Sequence, residues 1–254
     1  MMKSNFTSHF LPLVSALLLG TVQLAAQHFY YAPNAVHIPT LAGRHDAALT
    51  VGVGRGTGYR ALEAQVAYSP LRHVGIMVNY FSAGSKDVEN QKEVGGRQRF
   101  AEGGIGVYEH AKKGTLSLFV GYGQGYVHNY YNQERYSRFQ ITRMFVQPSL
   151  MYHDKYFRGG LAFRFNHLTY TEGETAFNIE DEELMAIRTI EERSPFFLPE
   201  LGIHVGMDFS PFSLNLSLTN IFSKTYNLNF ARFNSNFSIT FDIGKVVTKG
   251  KKQD

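Results

Sequence analysis

The sequence contains no cysteine and no tryptophan. Without thiols there is no disulfide, no thiolate metal site, no thiol nucleophile and no lipid-modified N-terminal cysteine. Beyond Gln27 it also lacks any run of about 20 apolar residues, so a mature chain that spans a membrane must cross it with strands. A surplus of one charge is nearly absent too. The net charge is +4, and part of it sits in Lys245, Lys249, Lys251 and Lys252. No basic helix or RNA-binding aromatic motif accompanies those lysines, so no nucleic-acid partner is expected. Glu180-Asp181-Glu182-Glu183 lacks the ligand order of a calcium loop, and Gly52 to Gly58 lies between two strand patterns with no helix to hold a phosphate. No metal and no cofactor are expected.

What is present is a chain of 254 residues with 24 Gly, 15 Tyr and 21 Phe, a mix that suits many strands and disfavours a helical bundle. The start carries Lys3, an apolar run from Leu11 to Leu19, and small residues at Ala25 and Ala26. That is the pattern of a cleaved secretory signal peptide over residues 1–26. Residues 27–44 include HFYYAPNAVHIPTLAGR, with two prolines and no sustained alternation, and read as an extended periplasmic lead. A barrel domain is expected over 45–244, followed by a basic periplasmic tail over 245–254.

From His45 onward the hydrophobic period is two. Leu49, Val51 and Val53 alternate with Ala48, Thr50 and Gly52; Leu116, Leu118, Val120 and Tyr122 alternate with Ser117, Phe119, Gly121 and Gly123. The same pattern fills two arms around Ser210-Pro211, a hairpin from Phe196 to Phe222. About ten such strands can be counted, an even number. Links near Ser69, Lys112, Asp154 and Ser210 read as short turns, while those from Ser82, Asn129, Thr171 and Ser223 read as longer polar loops. Short turns on one rim and long loops on the other predict an all-β, antiparallel up-and-down transmembrane barrel with periplasmic turns and extracellular loops.

The polarity of the two faces separates a membrane barrel from a soluble one. One face of each strand is aliphatic or aromatic, and the other is crowded with Gly, Ala, Ser and Asn plus single charges, which fits a narrow polar lumen. Aromatics near strand ends (Tyr68, Tyr80, Phe81, Tyr126, Tyr152, Tyr156, Phe209, Phe212) are expected to form the girdles. Glu63, Glu102, Arg143, Arg158, Arg164, Glu200, His204, Asp208 and Asp242 are expected to point inward. Charges in a narrow lumen are costly unless paired, so they are expected to form a charge network that fills the barrel. In the acidic segment Thr171 to Pro195, the spacing of Ile179, Leu184, Ile187 and Ile190 predicts a short amphipathic helix in a solvated loop.

With its signal, the lead YYAPNAVHIPTL, the hairpin ALEAQVAYSPLRHVGIMVNYF and the closing SNFSITFDIG, the whole mature chain resembles small outer-membrane β-barrel proteins of the porin-like kind. The resemblance implies residence in a Gram-negative outer membrane, with lipid, lipopolysaccharide and the barrel-assembly machinery as partners. It implies a structural, surface-contact or limited small-solute role rather than an enzymatic one. A second, narrower similarity lies in Phe163-Arg164-Phe165-Asn166-His167-Leu168-Thr169, which resembles the His-x-Ser segment of outer-membrane lipid A deacylases. It implies a catalytic set of His167, Thr169 as nucleophile, and an acid such as Glu172 or Glu174.

Overall fold

In a computed structural model, which describes residues 28–89, 92–131, 135–176, 182–222 and 228–244, the described residues include ten strands and a helix. The expected signal peptide and basic tail, and Ile179, Glu180 and Asp181 of the acidic segment, lie outside the described residues. The strands are β1 (Ala47–Gly56), β2 (Tyr59–Leu71), β3 (Val74–Glu89), β4 (Lys92–Ala111), β5 (Gly114–Tyr130), β6 (Tyr136–His153), β7 (Phe157–Thr175), β8 (Phe196–Phe209), β9 (Phe212–Ile221) and β10 (Phe233–Asp242); α1 spans Glu182–Arg193.

Each strand pairs antiparallel with its neighbours in sequence, and β10 pairs with β1, so the sheet closes on itself. Closure leaves no open edge, which is what allows a sheet to sit in hydrocarbon with every backbone group paired. The shortest strands have 10 residues. At about 3.3 Å per residue and a tilt near 45°, that length spans roughly 23 Å, close to the apolar band of a membrane barrel.

Side-chain alternation sorts the faces as the sequence predicts. Val53 is 61% exposed and Leu116 is 62% exposed on the outside, while Glu63, Glu102, Arg143 and Arg164 are buried within. Among the described residues no helix is long and apolar enough to cross a membrane. Tyr68, Tyr80, Tyr152, Tyr156, Phe209 and Phe212 are outward. Phe81, expected with them, faces the lumen and is buried, because odd positions of β3 point inward.

The rims differ less than the sequence suggests. Turns at 72–73, 112–113, 154–156 and 210–211 define one end, called here the turn rim. At the opposite loop rim, β1 and β2 meet in a tight turn with Gly58 at φ 80°, a left-handed conformation that glycine adopts without steric cost. The polar segment from Ser82 to Gly96 is strand for most of its length, with β3 and β4 paired as far as Glu89 and Lys92.

The largest departure concerns the N-terminal lead. Residues 28–44 do not lie outside the barrel; they run through its lumen from the loop rim to the turn rim, and only then does β1 begin. Phe29, Tyr30, Tyr31, Ala32, Val36 and Leu41 are all buried. The upper part packs in one apolar cluster with Tyr59, Phe81, Phe100, Phe139, Tyr170 and Phe196, and with Ala186, Ile187 and Ile190 of α1. The predicted helix thus exists, but its apolar face covers the mouth of the barrel rather than standing in solvent. Near the turn rim Leu41 packs with Ala67 and Tyr108.

Candidate functional site

An extended chain inside a barrel must find partners for its backbone N–H and C=O groups, since water is largely excluded and an unpaired buried amide is costly. The wall supplies them one by one. Gln98 makes two bonds to Ala32, accepting from its N–H at 2.8 Å and donating to its carbonyl at 3.0 Å. Ala35 N–H donates to Glu63 Oε2 at 2.9 Å, and Gln65 Nε2 donates to Ala35 O at 3.2 Å. Val36 N–H reaches Thr219 Oγ1 at 3.3 Å. Gln147 Nε2 donates to His37 O at 2.6 Å, and the His37 ring meets Asn79 Oδ1 at 2.7 Å. Pro33 and Pro39 have no N–H to satisfy.

The charged wall residues converge on the same segment. Arg143 and Arg164 face Glu102, and Arg164 also pairs with Glu200, to which its Nε donates at 2.7 Å. Arg143 and Arg164 are the largest fully buried side chains of the protein. Asn34 sits among them: its Oδ1 accepts from Arg143 Nη2 at 2.9 Å and from Arg164 Nη2 at 3.0 Å, and its Nδ2 donates to Glu102 Oε1 at 3.1 Å. Tyr31 completes the group, donating its hydroxyl to Glu200 Oε1 at 2.7 Å and accepting from Arg143. Two arginines balance two carboxylates, which is the condition for holding four charges in a dry interior.

The remaining expected residues divide into smaller groups. Arg158 pairs with Asp208 and Asp242 near the turn rim and also donates to Thr40 Oγ1 at 3.3 Å. Glu63 stands apart from the arginine pairs and accepts instead from Ala35 and from Asn234 Nδ2 at 2.8 Å. His204 bonds to Ser217 Oγ at 2.9 Å across β8 and β9. Most of the wall charges do pair among themselves, but what fills the lumen is the strip of chain that they clamp. Gln65, Asn79, Gln98, Gln147 and Thr219 do as much of this work as the charges and were not singled out from sequence. Their signal was available as polar residues of good length at inward positions.

The fit leaves little open space. Between the segment at Val36 to Thr40 and the wall at Ser217, Asn236 and Thr240 lies a seam of about 20 Å³, room for roughly one water molecule. Below Thr40 and Leu41 the lumen widens into a vestibule of about 770 Å³ at the turn rim, lined in part by Arg44, Arg72, His73, His110 and His153. At the other end His28 Nδ1 meets Glu183 Oε1 of α1 at 3.0 Å, and the Tyr30 hydroxyl donates to Glu183 Oε2 at 3.0 Å.

His167 and Thr169 follow one another on the outward face of β7, with Glu172 three residues further along the strand. His167 is exposed on the outer face of β7, opposite Met144 and Phe197. Glu172 accepts from Gln140 instead. No hydrogen bond joins any two of the three among the described residues, and Glu174 lies across from Arg138 in the β6–β7 register.

No family model matches the sequence, and no curated protein matches it. Among solved structures the chain is similar to the outer membrane protease OmpT from Escherichia coli, at 8% identity and a TM-score of 0.42, over 79% of this chain and 94% of that one. The NanC porin is similar at 9% identity and a TM-score of 0.36, over 77% and 98%. A bacterial polysaccharide outer membrane secretin is similar at 11% identity and a TM-score of 0.27, over 80% and 100%. No role passes from these proteins to this one.

Proposed function

We propose that the protein is an integral outer-membrane barrel whose lumen is closed by its own N-terminal segment, and that its role is structural or surface-contacting rather than catalytic or freely conducting. The apolar outer belt, the closed sheet and the signal-like N-terminus support the location. The observation that carries the closure is the Asn34 side chain, held by Arg143, Arg164 and Glu102 at the middle of the lumen. Passage of even a small solute past this point requires the segment to leave, which strips four buried charges of an internal partner.

Conductance in planar bilayers tests this reading. The chain with its segment in place is expected to be silent, and a variant with residues 28–40 deleted behind the signal is expected to give discrete current steps. Heat-modifiable gel mobility confirms that each sample is a folded barrel. Steady channel events from the folded, undeleted protein would overturn the closure.

A further inference from the structure

The outer face of the barrel is not apolar to both rims. Along β2 the outward series Tyr68, Val66, Ala64 and Leu62 ends at Arg60. Along β4 the series Val107, Ile105, Gly103 and Ala101 ends at Arg99 and then Arg97. Along β6 the series Leu150, Pro148, Val146 and Met144 passes Thr142 and Gln140 to reach Arg138. All four arginines are exposed, and all lie on the loop-rim side of the belt.

The sheet register makes these positions one surface. Arg60 and Arg97 both pair with Gly84 of β3, one from each side, so no side chain separates them. Arg97 then pairs with His128 of β5, and His128 pairs with Arg138 of β6. Arg99 pairs with Tyr126, and the Arg138 guanidinium lies 5.7 Å from the centre of the Tyr126 ring. Arg97 and Arg138 are both close enough to act electrostatically on His128. Among described side chains this arc of β2 to β6 carries no outward carboxylate above the belt; at its edge Glu174 of β7 stands directly across from Arg138, and Glu172 lies nearby. On β8, β9 and β10 the corresponding positions are Phe197, Asn220 and Phe233, while Arg55 of β1, paired across from Arg60, is exposed as well, so the outward strand cations at this height gather on β1 to β6.

Cations stacked directly above a lipid-facing belt meet the headgroups of whichever leaflet lies at that rim. Like charges set side by side repel unless anions sit between them, and guanidinium groups bond phosphate oxygens in pairs. We propose that the ribbon Arg60, Arg97, Arg99 and Arg138 binds the phosphates of lipopolysaccharide in the outer leaflet, with Gly84 providing the flat gap into which a sugar phosphate fits and Tyr126 a face for the sugar. This rests on the proposed outer-membrane location with the loop rim outward. The lipid then acts as an external brace across five strands on one side of the barrel.

The test uses the full-length protein extracted in mild detergent from outer membranes, with retained lipopolysaccharide measured by phosphate and sugar analysis. The fourfold variant R60Q/R97Q/R99Q/R138Q is expected to retain about tenfold less than wild type, since each exposed cation contributes modestly to binding an anionic lipid. The charge-preserving R60K/R97K/R99K/R138K variant, which keeps the cations but loses the paired bonds, is expected to retain more than the glutamine variant and less than wild type, and a turn-rim control, K113Q/K155Q, to retain most of it. Adding back lipid A with its phosphates removed is expected to show no difference between wild type and the fourfold variant. Equal retention by wild type and the glutamine variant, both folded by gel mobility, overturns the ribbon. A barrel found outside the outer-membrane fraction overturns the location instead, so the two failures are distinguishable.

Discussion

A methyl group on Gly202 would come within 2.6 Å of the Val36 Cβ. Gly202 lies in β8 with its inward face against the middle of the N-terminal segment, so the wall is hollowed where the segment bulges. Such a fit between chain and wall has the density of a protein core, where one added carbon is felt. Gly202→Ala is expected to destabilise the folded barrel by about 1–3 kcal/mol, the usual cost of overpacking. Urea unfolding in micelles followed by circular dichroism measures it, and Val36→Gly in the same chain, which removes the Cβ the new methyl would meet, is expected to recover part of the loss. An unchanged midpoint in Gly202→Ala would mean the segment is slack at this height.

Glu102 faces both Arg143 and Arg164. Glu102→Gln leaves two buried guanidinium groups with one carboxylate, Glu200, and is expected to cost about 3–5 kcal/mol. Replacing Arg143 by Met in that background restores the charge balance and is expected to be milder than the single change. If the double variant is no more stable than Glu102→Gln, the two side chains do not act as a unit.

Because the natural chain has no cysteine, a single introduced thiol is a clean probe. Ala32 is 0% exposed within the lumen, whereas Thr57 is exposed in the loop-rim turn. Thr57→Cys is expected to react with a small maleimide at once, and Ala32→Cys only after unfolding. Comparable labelling rates in the folded protein would place the segment outside the barrel.

His28 stands at the loop rim beside Glu183 and the carbonyl of Tyr130. With that rim outward, a short epitope inserted after Gln27 is expected to be recognised by antibody on intact cells. Recognition only after permeabilisation would mean that the loop rim and residue 28 lie on the other side of the membrane.

The strands were legible because each is a local statement. Leu116, Leu118, Val120 and Tyr122 declare a lipid-facing side without reference to anything distant in sequence. Above the belt that statement stops: small and charged residues such as Gly84, Lys86 and Gly95 stand where aliphatics would, so the hydrophobic period vanishes from Ser82 to Gly96 although the pairing of β3 with β4 continues. The inward direction of Arg143, Arg164, Glu102 and Glu200 was legible from parity alone. Their common partner was not. Asn34 and Tyr31 lie more than a hundred residues from Arg143, and the wall contacts of residues 28–44 are scattered singly over many strands. A segment held in this way carries no period of its own. Its two prolines, which suggest a linker when read locally, here lower the number of amide donors the wall has to satisfy.

The direction of the segment also constrains how the protein is made. Residue 28 stands at one rim and Ala47 starts β1 at the other, so the chain has already passed through the space its strands will enclose. A ring completed first would have to be fed its own leading end, past Arg143 and Arg164, from one mouth to the other. A sheet still open where β1 meets β10 has only to curl around a strip already lying against it. The β1–β10 pairing, which joins the first strand to the last, is the contact that closes the ring around that strip.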